Sequence, residues 1–557
     1  MILDARSVSS DTNLDADLCI VGAGAAGLAI ARALAGSRWK IVLLESGGLD
    51  PDGHTQSLYA GENLGLPYER LATARSRYFG GSTNCWGGFC RPFEPIDMEA
   101  RPWVPNSGWP FGPEMLAPYY ARAHSHLNLP SRIYDNAHWE KTLAPEGIGF
   151  LPVEGGALEN RVAQISDQPR VGVTSVDEIV KSTNIACYLN ANVTEFETNG
   201  TATVVERVRC AALNGARFTV SARQFVLCCG GIENARLLLL SNRVQSAGLG
   251  NGHDLVGRYF TDHPRIKAST VRLTDQARHR RLYDMTLTLS RRRLNAKHLP
   301  IAASLSPTAE VQRRLGLLNS RSYLVAQYHG EATAGVRALH DLRMLMSDRR
   351  KFGHAEGDLR ALLREAVPQI ALHLPNLAYA LFDNVVNPAW VARSFLLETI
   401  VEPVPNPDSR VTLATERDAL GLNRADTIWR LTAQDRDNFL RTHELVRTEL
   451  TRHGLITVTE PDPQEAAERA WAERISWCWH HMGTTRMHDD PKQGVVDARC
   501  KVHGVHNLYI GGSSVFPSMG CDHPTINLVA LAFRLAEEMS ARLQHDRAVT
   551  VEDQQAA

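Results

Sequence analysis

The sequence predicts an α/β chain, α+β overall, and three stretches predict it. The first packs a strand, a glycine turn, a helix and a second strand into residues 15–48. The second is a set of alternating stretches, "ACYLNANVTEFE", "VVERVRCAAL" and "RFTVSARQFVLCCGGIENARLLLLS". They read as several strands, then a further strand–glycine–helix step from Val226 to Leu240. The third is a change of character over 335–400, which is Arg- and Leu-rich and helical, as in "GDLRALLREAVPQIALHL".

The opening unit reads "DADLCIVGAGAAGLAIARALAGSRWKIVLLESGG". Leu18 to Val21 is a short apolar run of the kind a buried parallel strand uses. "AAGLAIARALAG" has helix formers and a terminal Gly36 suited to a cap, and "KIVLLE" is a second strand ending in Glu45. Gly22 allows the tight turn. Gly24 lets a pyrophosphate approach the free N–H groups of the helix N-terminus. Gly27 permits close helix–strand packing. Glu45 is placed to accept from ribose hydroxyls, and an acid there disfavours a 2′-phosphate. A dinucleotide is expected, FAD or NAD rather than NADP.

Further along, "EPVPNPDSRVTL" at 402–413 is rich in Pro and Asn, then strand-like, and it reads as the start of another sheet. The chain closes with "VHNLYIGGSSVFP", a strand into a glycine turn, and with "PTINLVALAFRLAEEM". That last helix is expected to start at Pro524, where a missing N–H costs little. Its apolar positions 526, 528, 529, 532, 535 and 539 pack one face. No internal repeat and no low-complexity linker is visible.

Bulk properties narrow the function classes. The 557 residues are 44% hydrophobic and 22% charged, with 60 basic and 61 acidic residues and a formal net charge of −1. This balance advertises neither nucleic acid nor a membrane surface. The basic clusters at 277–281, 291–293 and 347–351 are expected to be solvated faces and loop edges. The first twenty residues read as neither a signal peptide nor a twin-arginine leader. No run of about 18 apolar residues occurs, so no transmembrane helix is expected. The 10 cysteines are scattered without C-x-x-C spacing, so neither a metal site nor a disulfide framework is expected. A reduced, cytoplasmic protein fits that usage.

Histidine carries the chemistry-bearing signal. "SWCWHHMGTTRM" at 476–487 sets His480 beside His481, and "GCDHPTIN" supplies His523. Imidazole titrates near neutral pH and suits a base that takes a hydroxyl proton. His263, His503 and His506 are expected to cap turns or hydrogen-bond locally. Cys228–Cys229 is expected to pack a strand, since a vicinal disulfide is strained. No G-x-S-x-G hydrolase elbow is present.

Four separated motifs agree in order. The glycine-rich start, "FGGSTNCWGG" at 79–88, "FVLCCGGIENARLLLLS" at 225–241 and the pair "HHMGTTRM" plus "HPT" resemble the glucose–methanol–choline (GMC) oxidoreductases. "NGHDLVGRYFTDHP" at 251–264 is similar as well, so the resemblance spans 15 to about 540. Within the family, "GGSTNCW" and "HHMGTTRM" look most like the bacterial sugar-dehydrogenase and pyranose-oxidase branch. "GGSS" stands where an Asp near 511–512 is usual.

The resemblance implies a discontinuous Rossmann-like FAD-binding domain from 1–90, 165–262 and 480–545. It implies a substrate-binding domain from 91–164 and 263–479, with a mainly antiparallel sheet covered by helices. Gly22, Gly24, Gly27 and Glu45 would hold the adenosine diphosphate and Val193 would touch adenine. Gly81, Ser82, Asn84, Cys85 and Trp86 would lie along the isoalloxazine. Gly512, Ser513, Pro524 and Thr525 would approach it from the C-terminal segment. His480 matches the base position and His523 its partner, with His481 structural. The last helix would aim its positive end at the flavin edge that gains negative charge.

The implied activity is oxidation of a CH–OH group of a sugar, glycoside or polyol-like alcohol, with dioxygen or another acceptor reoxidising the flavin. A flavin-retaining lyase of the hydroxynitrile-lyase kind is the alternative, and an NAD-dependent dehydrogenase a third reading. Relatives with covalent flavin attach it through a histidine where this chain has Cys85, so non-covalent FAD is expected. An oligomer is left open.

Overall fold

The computed structural model describes residues 1–293, 298–327, 333–353, 359–386 and 393–556. Two large sheets dominate. The first has a parallel centre in the order Ile2–Asp4, Ile185–Leu189, Ile41–Leu44, Thr12–Val21 and Arg217–Leu227. The last of these strands is long enough to serve two neighbours on its far side. Arg217 to Ser221 pairs antiparallel with Val205–Ala211, and Phe225 to Leu227 pairs parallel with Leu508–Ile510. Asn192–Thr198 closes that edge.

The parallel strands are apolar without alternation because both faces are covered. Helix Ala25–Ala33 and the C-terminal helix Thr525–Ala556 pack on one another, burying Leu28, Ile30, Ile526 and Val529 with Leu18, Ile20, Phe225 and Val226.

The second sheet is wholly antiparallel. Its order is Ile456–Val458, Arg265–Leu273, Ser394–Val401, Ser320–Gln327, Ile301–Pro307, Leu158–Ile165 and Phe89–Cys90, with Ile475–Ser476 also beside Arg265–Leu273. Val162, Ile301, Leu324, Phe395 and Leu397 form its core together with Tyr283 and Val446 from covering helices. The mixed architecture is the one expected, a Rossmann-like sheet plus an antiparallel sheet.

Several local expectations differ. Phe89–Cys90 pairs with Leu158–Ile165 in the second sheet, so that sheet claims the end of the segment 1–90. The strand-like stretch near 402–413 does begin another sheet, as expected, but one of only two strands, the hairpin Arg410–Arg417 with Asn423–Ile428. That hairpin and the residue after it turn Val411, Ala425 and Trp429 into the first core, although they fall within 263–479. Among the described residues of 335–400 the helices are Ala334–Phe352, Leu359–Leu372 and Leu374–Val386, and by Ser394 the chain is already a strand.

Pro524 caps the last helix: its carbonyl accepts from the Leu528 N–H at 3.0 Å, and Thr525 is the first helical residue. The cluster at 277–281 is not a solvated face throughout, because Arg280 is fully buried against Asp284 at 3.0 Å. The side chains of 291–293 lie outside the described residues. All ten cysteines are free thiols. No described helix is long and apolar enough to cross a membrane.

Candidate active site

A cavity of about 1450 Å³ runs between the two sheets. This exceeds the roughly 300–1,000 Å³ of a site for one drug-sized ligand, as a large cofactor plus a substrate requires.

At one end lies the first glycine turn. Gly22 has φ +100°, and a Cβ there would stand 2.7 Å from the Cys228 carbonyl oxygen. A Cβ on Gly27 would stand 1.9 Å from the Gly22 oxygen, so this glycine lets helix and strand touch. Gly24 differs. A Cβ there meets only the Gly81 Cα, at 3.9 Å, so the fold tolerates it and the space in front belongs to a ligand. Gly24 caps helix Ala25–Ala33 with no side-chain acceptor, leaving first-turn N–H groups free for an anion.

Buried Glu45 accepts from the Ala23 and Gly47 N–H groups, both at 2.9 Å. Its carboxylate is thereby fixed with acceptor capacity to spare. Glycine cradle, helix end and fixed acid together fit an adenine dinucleotide.

Among the cofactor-site residues picked from sequence, Gly27 alone does not line the cavity. The others do so in different ways. Asn84 spends an amide N–H on the Phe79 carbonyl at 3.0 Å, and the Ser513 hydroxyl donates to the His481 carbonyl at 2.9 Å, so both brace the wall. The Trp86 indole donates to the Pro169 carbonyl at 2.7 Å. Burial pushes the Cys85 thiol up, so it stays protonated, and its Sγ lies 3.3 Å from the Ser82 carbonyl. Arg75, Arg77 and Glu233 also line this end, which sequence reasoning did not find. Both guanidiniums pair with the one carboxylate, and Arg75 Nε and Nη1 keep no hydrogen-bond partner.

At the other end His480 and His523 face each other, ring centroids 5.9 Å apart. The 478–480 turn is pinned by Asp262, whose Oδ1 accepts from the Cys478 N–H at 3.3 Å and the His480 N–H at 2.9 Å. Trp479 takes φ +60° to make that turn, a strained geometry for a bulky residue. His480 Nδ1 lies 2.8 Å from Nδ1 of His263. His523 Nδ1 lies 2.8 Å from Nη1 of Arg321. Among the described residues neither His480 Nε2 nor His523 Nε2 has a protein partner.

Burial first, then the neighbouring imidazoles and guanidiniums, hold both imidazoles well below their usual range, so both are neutral near pH 7. Under His523 sits Asp522, against Arg321 at 3.2 Å, Arg161 at 3.4 Å and Arg91 at 3.6 Å. Burial opposes its ionisation, and the arginines outweigh burial and hold it below the usual range.

His481 packs among Tyr68 and Phe260 with a buried, unpaired Nε2. His503 bonds the nearby His488 carbonyl at 2.8 Å. His263 departs from its expected local role, being fully buried and bonded to His480. Asp262, His263 and His480 bring potential ligand atoms within 4.8 Å of one another. Asp262 is already engaged by three N–H groups and the Tyr68 hydroxyl, and both His263 nitrogens are bonded, so the cluster is a hydrogen-bond relay.

A dinucleotide cradle joined to a histidine-lined pocket defines a class, the FAD-dependent oxidoreductases, and comparison with known proteins agrees. Residues 17–248 match the model of FAD dependent oxidoreductases, and residues 405–532 match that of GMC oxidoreductases. The chain thus joins an FAD dependent oxidoreductase domain to a GMC oxidoreductase C-terminal domain, and its cofactor is FAD.

It is similar to paromamine 6′-oxidase of Streptomyces fradiae, 22% identical over 95% of this chain and 92% of that protein. It is also similar to 2-methyl-1,2-propanediol dehydrogenase of Mycolicibacterium austroafricanum, 23% identical over 94% and 95%. Among solved structures, formate oxidase of Aspergillus oryzae shares the fold, with a TM-score of 0.57 and 15% identity over 96% of this chain and 99% of that one.

Proposed function

We propose that this protein oxidises a CH–OH group of a sugar, glycoside or polyol-like alcohol, His480 taking the hydroxyl proton and His523 holding the oxygen. One observation carries the reading: two neutral imidazoles on one cavity wall, each with Nδ1 engaged and Nε2 open. Arg321 can only donate, so His523 Nδ1 accepts and its proton sits on Nε2. That N–H offers a hydrogen bond to the substrate oxygen as negative charge develops there, a preorganised stabilisation. Arg321, buried behind it, adds positive charge on the same side.

Gly22, Gly24, Glu45 and Val193 would surround the adenosine diphosphate part of FAD, and the N–H groups after Gly24 would meet the pyrophosphate. Gly81, Ser82, Asn84, Cys85 and Trp86 would flank the flavin from one side and Gly512, Ser513, Pro524 and Thr525 from the other. Bound FAD supplies the hydride acceptor.

The relatives are named as oxidases and a dehydrogenase. This favours oxidation over the lyase alternative, and fits dioxygen or another acceptor. The free cysteines suit a reduced compartment, the cytoplasm.

The test is an anaerobic flavin-bleaching screen over monosaccharides, glycosides and polyols. At least one is expected to bleach the flavin of the wild type. His480→Ala should keep its FAD and be reduced about 10²–10⁴-fold more slowly. His523→Asn should be milder, since its amide still donates, and His481→Ala should reduce near normally. A crippled His481→Ala beside a healthy His480→Ala would overturn the assignment.

A further inference from the structure

We infer that His263 is a positioning residue: it fixes the side chain of His480 in the tautomer whose Nε2, toward the cavity, carries no proton. The inference rests on His480 being the base and concerns what makes it one.

The argument starts at a carbonyl. His263 Nε2 lies 2.8 Å from the carbonyl oxygen of Gly520. That oxygen can only accept, so Nε2 of His263 donates. A neutral imidazole has one N–H, so Nδ1 of His263 is a lone pair. The 2.8 Å contact from that atom to His480 Nδ1 then requires the proton on His480. The remaining nitrogen of His480, Nε2, is left bare.

The opposite arrangement would set two lone pairs against each other at the Gly520 carbonyl, in a fully buried place where an unsatisfied group costs most. Burial, then Arg321, push His263 down to about 4, which keeps it neutral.

The carbonyl end of the relay is itself fixed. Buried Glu402 accepts from the Met519 N–H at 3.1 Å and the Gly520 N–H at 3.0 Å, and pairs with Arg101 at 2.7 Å. The two rings stand at 90° with centroids 5.1 Å apart. His263 does not line the cavity.

Free imidazole side chains favour the Nε2–H form, which is the wrong one for a base acting through Nε2. His263 corrects His480, while Arg321 leaves His523 in the Nε2–H form. The pocket thereby presents one acceptor and one donor to a hydroxyl that must be both deprotonated and held.

Histidine ¹⁵N NMR of the FAD-loaded protein reads the tautomer directly, with His480→Asn identifying the resonances. The expected signature is a protonated Nδ1 and an unprotonated Nε2 on His480, and the reverse would overturn the inference.

Two variants give the kinetic arm, each checked for FAD content. His263→Leu removes the acceptor and should slow anaerobic flavin reduction about 10²-fold, within the range of a positioned base, with substrate affinity little changed. His263→Asn offers an amide oxygen near the lost Nδ1 and should recover most of the rate. A His263→Leu enzyme that is reduced at the wild-type rate would also overturn it. If His480→Ala were slow beside such an enzyme, the base assignment would stand and only the role of His263 would fall.

Discussion

As the proposed base, His480 would act only while neutral, and its surroundings decide over what range that holds. Burial acts first, and His263, His523, Arg321 and His481 add to it, so its folded value lies well below the ordinary 6.5. Asp262, the nearest carboxylate, is pinned to its backbone N–H. The neutral form is therefore present above that depressed value, and competence is lost only as pH falls through it. Anaerobic flavin reduction should be flat from about pH 6.5 upward and decline only on the acid side. A midpoint at or above the ordinary histidine value, in stopped-flow traces across pH, would contradict the burial argument.

Cys85 gives a second prediction at this scale. Its thiol is pushed up rather than down, so little thiolate exists to attack the cofactor. Acid precipitation should leave the yellow colour in the supernatant; a yellow pellet that whitens in Cys85→Ser would show a covalent link. That His480 and His523 share one cavity was legible because each sits in a motif whose spacing carries meaning. His263 and Arg321 were not, because what matters is a partner far away in the chain, and "DHP" by itself signals only a turn.

The glycine turn shows how differently three similar residues work within one element. Gly22 and Gly27 are dictated by the protein's own backbone, at 2.7 and 1.9 Å from carbonyl oxygens, whereas Gly24 is open. Gly24→Val should therefore fold, with a circular dichroism spectrum like the wild type, and purify without flavin. Retained flavin would place the pyrophosphate elsewhere. Gly27→Val should fail earlier, at folding itself.

This unit was legible almost residue by residue because its constraints are local. The hairpin Arg410–Arg417/Asn423–Ile428 was not. Its pattern announces strands, but nothing in it says that Val411 and Ala425 face the first sheet's core rather than the second's. The start of the last helix was missed by one residue, since Pro524 satisfies either the cap or the first helical position.

At the scale of the molecule, the residue that follows that hairpin braces the histidine end of the cavity. Trp429, 1% exposed, packs edge-on against Tyr68 at 5.2 Å, and the Tyr68 hydroxyl donates to Asp262, which pins the turn before His480. Trp429→Ala should cost about 3–5 kcal/mol, read by urea denaturation. It should also slow flavin reduction without abolishing FAD binding. A stability change under about 1 kcal/mol would mean that the hairpin is an appendage. The two-sheet architecture was legible from pattern and resemblance together. That Phe89–Cys90 joins the second sheet and the hairpin the first core was not, because long-range pairing leaves no local trace.

The strand Arg217–Leu227 meets Leu508–Ile510 only across nearly three hundred intervening residues, and the cavity wall is completed by Ser513 and Thr525 later still. A ribosome must therefore deliver the chain past Thr525 before the cofactor has anywhere to sit. Until then the nascent chain carries an unfinished parallel sheet with an open edge, the kind of intermediate that holdase chaperones shield. Flavin supply can rescue only chains that extend past Thr525, so a premature stop shortly before Leu508 should yield insoluble, colourless protein however much FAD the cell contains.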